Sequence, residues 1–166
     1  MNEQDRQTRN RERLEECHPV FSARVAAIIA NLEHDGYRPR IQEAWRSPSD
    51  QLKDFQSGHS KLQFGFHNTT AVDGKPEALA VDLLDDDHPL TPGTPYLIAL
   101  AIHASAYACQ TGLDWGLPAK MRTPIDLAIA NRDTQARLTH IGWDPTHVEA
   151  ADLTVTQAKK GVRPFA

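Results

Sequence analysis

Residues 78–83 read Ala78-Leu79-Ala80-Val81-Asp82-Leu83. Leu79, Val81 and Leu83 fall on one face of an extended chain, and Ala80 and Asp82 on the other. That alternation predicts a strand with a buried face. Helical patterns flank it. Between His18-Pro19 and Gly36, the apolar residues Phe21, Val25, Ile28, Ile29 and Leu32 recur at helical spacing. Pro19 suits the first turn and Gly36 the stop. After the turn Asp85-Asp86-Asp87-His88-Pro89, a second apolar helix is expected over 94–111. It carries Leu97, Ile98, Ala101, Ile102 and Ser105, places Cys109 in the core, and ends at Gly112.

Further out, Arg40 to Arg46 reads as a short strand. Ile41, Glu43 and Trp45 alternate there with Gln42, Ala44 and Arg46. Ser47-Pro48 opens a helix through about Gln56, capped by the Ser47 hydroxyl and ended by Gly58. Residues 58–77 are loop-like, with Gly58, Gly65, Asn68 and Asp73-Gly74. Leu113 to Trp115 is a short strand, Thr123-Pro124 caps a helix to about Leu138, and Gly142 to Glu149 is extended. Short strands separated by helices predict an α+β domain, with helices on one face of a small, mainly antiparallel sheet. The other face is left free for a site.

The chain has 166 residues, 40% hydrophobic and 24% charged, which is the composition of a globular domain rather than a disordered one. One domain is expected over 1–166, with a charged N-terminal extension at 1–13, a C-terminal tail at 151–166, and a monomeric state. No apolar run approaches the ~20 residues that span a bilayer. The start, MNEQDRQTRNRERLEEC, lacks the apolar segment of a signal peptide. Synthesis in the cytoplasm is therefore expected, with separate release if the protein acts elsewhere. A net charge of −4 argues against nucleic-acid binding. The basic cluster Arg6 to Arg13 is interleaved with Glu and Gln and reads as a solvated helix or tail. Cys17 and Cys109 lack a second Cys or His at zinc-finger spacing.

Several residues can carry chemistry. Asp82 lies within a strand of small and aliphatic residues, where its desolvation calls for a cation, hydrogen bonds or a metal. In Gly142-Trp-Asp-Pro-Thr-His-Val-Glu149, an extended segment points His147 and Glu149 to one side. Pro145 stiffens the link from Asp144 to His147. A zinc hydrolase needs three protein ligands, an open position and a nearby base. His67, in Gly65-Phe66-His67-Asn68, reads equally as a ligand or a surface residue, with His59, His88, His103 and His140 as competitors. Arg46, at a strand end, can pair a carboxylate through both arms of its guanidinium.

Taken in order, these stretches resemble the zinc D-alanyl-D-alanine carboxypeptidase and L-alanyl-D-glutamate endopeptidase family. Its members cut peptidoglycan stem peptides, and many phage endolysins belong to it. The resemblance spans about 14–150. It rests on Leu14 to Gly36 with Cys17-His18-Pro19, on Glu43-Ala-Trp-Arg-Ser47 followed by Gln51, and on Phe66-His67 with Ala80-Val-Asp82. Gly112-Leu-Asp-Trp-Gly116 and Asp144-Pro-Thr-His-Val-Glu149 complete it. His67 and Asp82 stand 15 apart, farther than the family pattern, with 68–77 looking like an insertion. Gly65 stands where Ser is common, and the stretch 117–142 is long.

The resemblance implies a hedgehog/DD-peptidase-like fold holding one zinc ion on His67, Asp82 and His147. Asp144 is then the catalytic base and Arg46 a second catalytic residue that orients the substrate or stabilises developing negative charge, with Glu149, Gln51 and Trp115 in supporting or substrate-facing places. It implies a peptidoglycan stem peptide as substrate and the bacterial cell wall as the place of action after release. The leading expectation is an L-alanyl-D-glutamate endopeptidase of the endolysin kind. A D-alanyl-D-alanine carboxypeptidase and a non-catalytic wall-binding or virion domain are the alternatives.

Overall fold

Strands β1 (Pro39–Glu43), β2 (Ala80–Asp85), β3 (Cys109–Gly112) and β4 (Asp144–Ala150) form one antiparallel sheet in the order β1-β2-β4-β3. The computed structural model describes residues 1–58 and 60–165. Register sorts the side chains by face. Ile41 pairs with Leu83, Val81 with Val148, and Cys109 with Ala150. All six are buried, in one core with Phe21, Val25, Ile28 and Leu32 of α2 (Pro19–His34) and Leu97 and Leu100 of α4 (Thr94–Ala106). Each large aliphatic side chain buried this way stabilises the fold by about 1.5–3 kcal/mol. The opposite face presents Asp82 beside His147 and Ala80 beside Glu149. This is the expected α+β layout. α3 (Pro48–Gln56) and α6 (Val155–Lys159) border the polar face, each sending a residue to its pocket.

Three element boundaries differ from the sequence reading. The apolar helix ends at Ala106, not at 111, and β3 begins at Cys109, upstream of the strand expected at 113–115. Ala108 turns the chain with φ of 51°. A non-glycine residue there leaves no compositional mark, and Cys109 stays buried on the strand instead of the helix. In β1 a register shift between Ile41 and Glu43 breaks the alternation, so Ile41 and Ala44 both reach the core. α5 (Ala119–Ala130) starts before Thr123-Pro124 and carries Pro124 inside it. It packs on α4 through Ala128 against Ile98 and Ile102, and the chain from 131 to 143 returns without helix.

The ends of the chain are also more committed than expected. α1 (Glu3–Glu15) lies against the outer edge of β1. Asn10 donates Nδ2–H to the Pro39 carbonyl at 3.0 Å and accepts the Ile41 N–H at 2.8 Å, much as a neighbouring strand would. Arg9 donates to the carbonyls of Ile41 and Gln42, and Arg6 to that of Pro39. Arg6 is only 2% exposed, so the basic cluster is not a solvated face. A sheet edge covered this way cannot template pairing with another chain. At the other end, Thr154 caps α6, and Arg163 pairs with Glu77 at 2.9 Å.

Removing the Asn10 side chain leaves the buried Ile41 N–H of β1 without a partner and the Pro39 carbonyl held by Arg6 alone. We expect Asn10→Ala to lower unfolding stability by about 1–3 kcal/mol. Arg11→Ala, on the exposed side of the same helix, is expected to change it by less than about 0.5 kcal/mol. Urea midpoints of the two variants check this.

Candidate metal centre

Asp82 and His147 are direct register partners across β2 and β4, on the face away from the core. His67 comes from a single 3-10 turn, Phe66–Asn68, and four bonds fix that turn. The Leu79 N–H donates to the Phe66 carbonyl and the Arg46 N–H to the His67 carbonyl, both at 2.9 Å. Asn68 donates to the Arg46 carbonyl and accepts from the Gly65 N–H. The lengthened spacing between His67 and Asp82 has a simple structural form. Thr69 and Glu77 bond to each other, the Glu77 N–H to the Thr69 carbonyl at 3.0 Å and the Thr69 hydroxyl to the Glu77 carbonyl at 2.6 Å. The residues between them form a hairpin closed at its base, with Thr70 bridged to Pro76. The chain leaves and returns at one point, and His67 stays beside β2.

Three atoms converge. His67 Nε2 lies 3.3 Å from His147 Nδ1, His147 Nδ1 lies 3.2 Å from Asp82 Oδ1, and His67 Nε2 lies 3.6 Å from Asp82 Oδ1. A tetrahedral zinc ion with bonds of about 2.0–2.1 Å holds neighbouring ligand atoms about 3.3 Å apart. The outer ring nitrogens settle the tautomers. His67 Nδ1 faces the Ala44 carbonyl at 2.5 Å and His147 Nε2 faces Glu149 Oε2 at 3.1 Å. A carbonyl and a carboxylate only accept, so both outer nitrogens carry hydrogen. With the rings neutral, the inner nitrogens then turn lone pairs toward Asp82, the arrangement that orients metal-binding histidines. Glu149 is held in turn by the Gln110 amide at 2.7 Å. His67, Asp82 and His147 thus fit a metal ion in position, donor type and orientation.

The electrostatics point the same way. Burial pushes the Asp82 carboxyl up, but when a proton rather than a metal stands on the inner nitrogens, hydrogen bonds from His147 and His67 hold it well below the usual carboxylate range. Burial alone would lower His147, yet Asp82 and Glu149 carry it up to about 9. The cluster therefore favours a cation among its buried carboxylates. Asp144 stands outside the triangle, with Oδ2 3.9 Å from His147 Nδ1. Burial, and then the charge of Asp82, raise its carboxyl.

No family model and no curated protein matches this sequence. Among solved structures, the chain is similar to the Serratia marcescens L-Ala D-Glu endopeptidase ChiX. The two share 17% identity over 86% of each chain, with a TM-score of 0.51. That likeness is one of fold.

The remaining predicted residues surround the triangle. The Trp115 ring lies 4.9 Å from that of His147 and 5.4 Å from that of Trp143. Trp143, Lys61 and Val155 also line the pocket, and the sequence reading did not single them out. Their signals were thin: an aromatic just before Asp144, a loop lysine, and a valine in what read as a tail. Two glycines permit the close approach of the start of β4, which carries Asp144, to the end of β3 and the turn that carries Trp115. A Cβ on Gly112 would sit 2.1 Å from the Asp144 carbonyl oxygen, and one on Gly142 would sit 2.3 Å from that of Gly112.

Arg46 grips the Glu43 carboxylate through Nε and Nη2, while Nη1 meets Asp54 and Gln51, each at 3.1 Å. Gln51 is buried and donates to the Ser60 hydroxyl and the Leu62 carbonyl. Arg46 and Gln51 therefore brace the loop that precedes His67. Of the competing histidines, His103 is buried against Asp35 at 2.7 Å, and His88 and His140 are exposed away from the cluster. His59 lies outside the described residues. The aspartates before His88 are engaged by arginines, Asp86 by Arg40 at 2.7 Å and Asp87 by Arg38 at 2.6 Å.

We expect one zinc per chain by elemental analysis after dialysis. His67→Ala should abolish stoichiometric zinc, and His59→Ala should retain it. Glu149→Ala, which frees the outer nitrogen of His147, is expected to weaken zinc binding about 10–100-fold in a chelator competition titration.

Proposed function

We propose that this protein is a zinc-dependent peptidase that hydrolyses a peptide bond in peptidoglycan stem peptides. The bond we assign is that between L-alanine and D-glutamate, and the setting is the bacterial cell wall after release, as for an endolysin. The observation that carries the reading is the His67, Asp82 and His147 triangle, with edges of 3.2–3.6 Å. It is supported by the fold likeness to a protein described as an L-Ala D-Glu endopeptidase.

His67, Asp82 and His147 would hold the zinc ion. Zinc bound there supplies Lewis acidity toward a carbonyl and lowers the pKa of water to about 7. Asp144 takes the role of proton carrier. Its Oδ2 lies beside the triangle without completing it, placed to accept a proton from the attacking water and return it to the leaving amine. Its raised carboxyl makes it the better base for the first of these transfers. Glu149 keeps His147 in the right tautomer, and Trp115 walls the ring against rotation. Arg46 acts through the brace it forms with Gln51 and the loop before His67.

Digestion of purified peptidoglycan followed by mass spectrometry tests the reading. New L-alanine C-termini and D-glutamate N-termini are expected. Release of free D-alanine would instead indicate a carboxypeptidase, and tight wall binding without cleavage a binding domain. Asp144→Asn should keep one zinc per chain while kcat falls about 10²–10⁴-fold, the usual contribution of a positioned general base. Undiminished kcat in that variant would remove Asp144 from the mechanism.

A further inference from the structure

The pocket around the triangle is lined by Asp82, Asp144 and Glu149, and also by two cations, Arg46 and Lys61. They differ in what they have left to offer. A guanidinium has five N–H donors, and four of those of Arg46 already serve Glu43, Asp54 and Gln51. Two carboxylates thus stand against its single charge, and an anion approaching Arg46 would meet both. Lys61 is placed otherwise. It has no carboxylate partner among the described residues, and its Nζ lies 4.8 Å from the centre of the Trp143 ring. A tryptophan face holds an ammonium without neutralising it and leaves N–H donors free on the far side. The backbone that carries Lys61 is also pinned. Gln51 bonds to the Ser60 hydroxyl on one side and to the Leu62 carbonyl on the other. Trp143 itself adjoins Asp144, so the uncommitted cation sits at the mouth beside the proton carrier.

Resting on the peptidase reading, we infer that Lys61, seated on Trp143, is the specificity-determining residue that reads a free carboxylate on the substrate residue flanking the scissile bond. The substrate class is a peptide in which that residue is acidic, such as a glutamyl residue with one carboxyl group unblocked. Arg46 is a positioning residue in this scheme.

The test uses zinc-loaded protein and two peptides that differ only in that carboxylate, one free and one converted to its amide. Wild-type protein is expected to favour the acid peptide about 10–100-fold in kcat/KM, the range of one hydrogen bond to a charged group, and to do so through KM. Lys61→Gln should bring the ratio near one while leaving zinc content unchanged. Lys61→Arg should restore most of the preference. Equilibrium binding, followed by tryptophan fluorescence, gives a second readout that does not depend on turnover. Acid-selective binding that Lys61→Gln abolishes supports the assignment even if neither peptide is cut, and that outcome overturns the peptidase reading alone. Equal affinity of wild-type protein for the two peptides, or a preference that survives Lys61→Gln, overturns the assignment of Lys61.

Discussion

Asp82 and His147 face each other across two antiparallel strands, and the candidate centre depends on that pairing. In a strand, a shift by one residue carries every side chain to the opposite face. Moving β4 by one place against β2 would send His147 and Glu149 into the core and bring Val148 to the site. Such a slip costs both a buried valine and a buried ion pair, so core packing and site geometry enforce the same register. The core face of the sheet is completed by Ile41, Val81, Leu83 and Ala150, all fully buried. Function here is thus set by the same alternation that drives folding. His67 is the one member of the triangle that reaches it from a turn, and that turn is tied to β2 and to Arg46 through backbone bonds.

The parts of this design legible in the sequence were those with a strong local period or a distinctive residue set. α2 and β2 announce themselves through spacing, and the segment from Asp144 to Glu149 through its acids and histidine. The parts that escaped were decided by contacts between distant residues. Nothing local distinguishes an Arg6 that docks on a sheet edge from one in solvent, because the deciding partner is the Pro39 carbonyl, far along the chain. The end of α4 was misplaced for a related reason. Small and apolar residues continue from the helix through Ala106, Tyr107 and Ala108 into Cys109, so residue type alone does not mark where the helix stops. Arg46 was correctly seen as a group able to grip a carboxylate. The carboxylate that meets it in the structure is that of Glu43, at the end of β1, three residues before it.

Charge is distributed around the pocket with a consistent logic. Asp82 is matched by two imidazoles, and Glu149 by one imidazole and an amide. Asp144 is the least satisfied of the three: the side chain is 33% exposed, and its carboxyl is raised where that of Asp82 is lowered. Asp82 and Asp144 are thereby given different affinities for protons by environment alone, as the proposed roles of ligand and proton carrier require.

The hairpin between Thr69 and Glu77 bears on how such a chain can change over time. Its base is sealed by bonds between those two residues, and its tip reaches solvent, with Val72 fully exposed. Length added or removed beyond the seal does not alter the distance between Phe66 and Leu79, which are joined directly. The loop is therefore a graft point. New recognition elements, a longer arm or a foreign segment can be spliced in there while His67, Asp82 and His147 keep their places, so the outer surface of this scaffold can drift independently of the candidate centre.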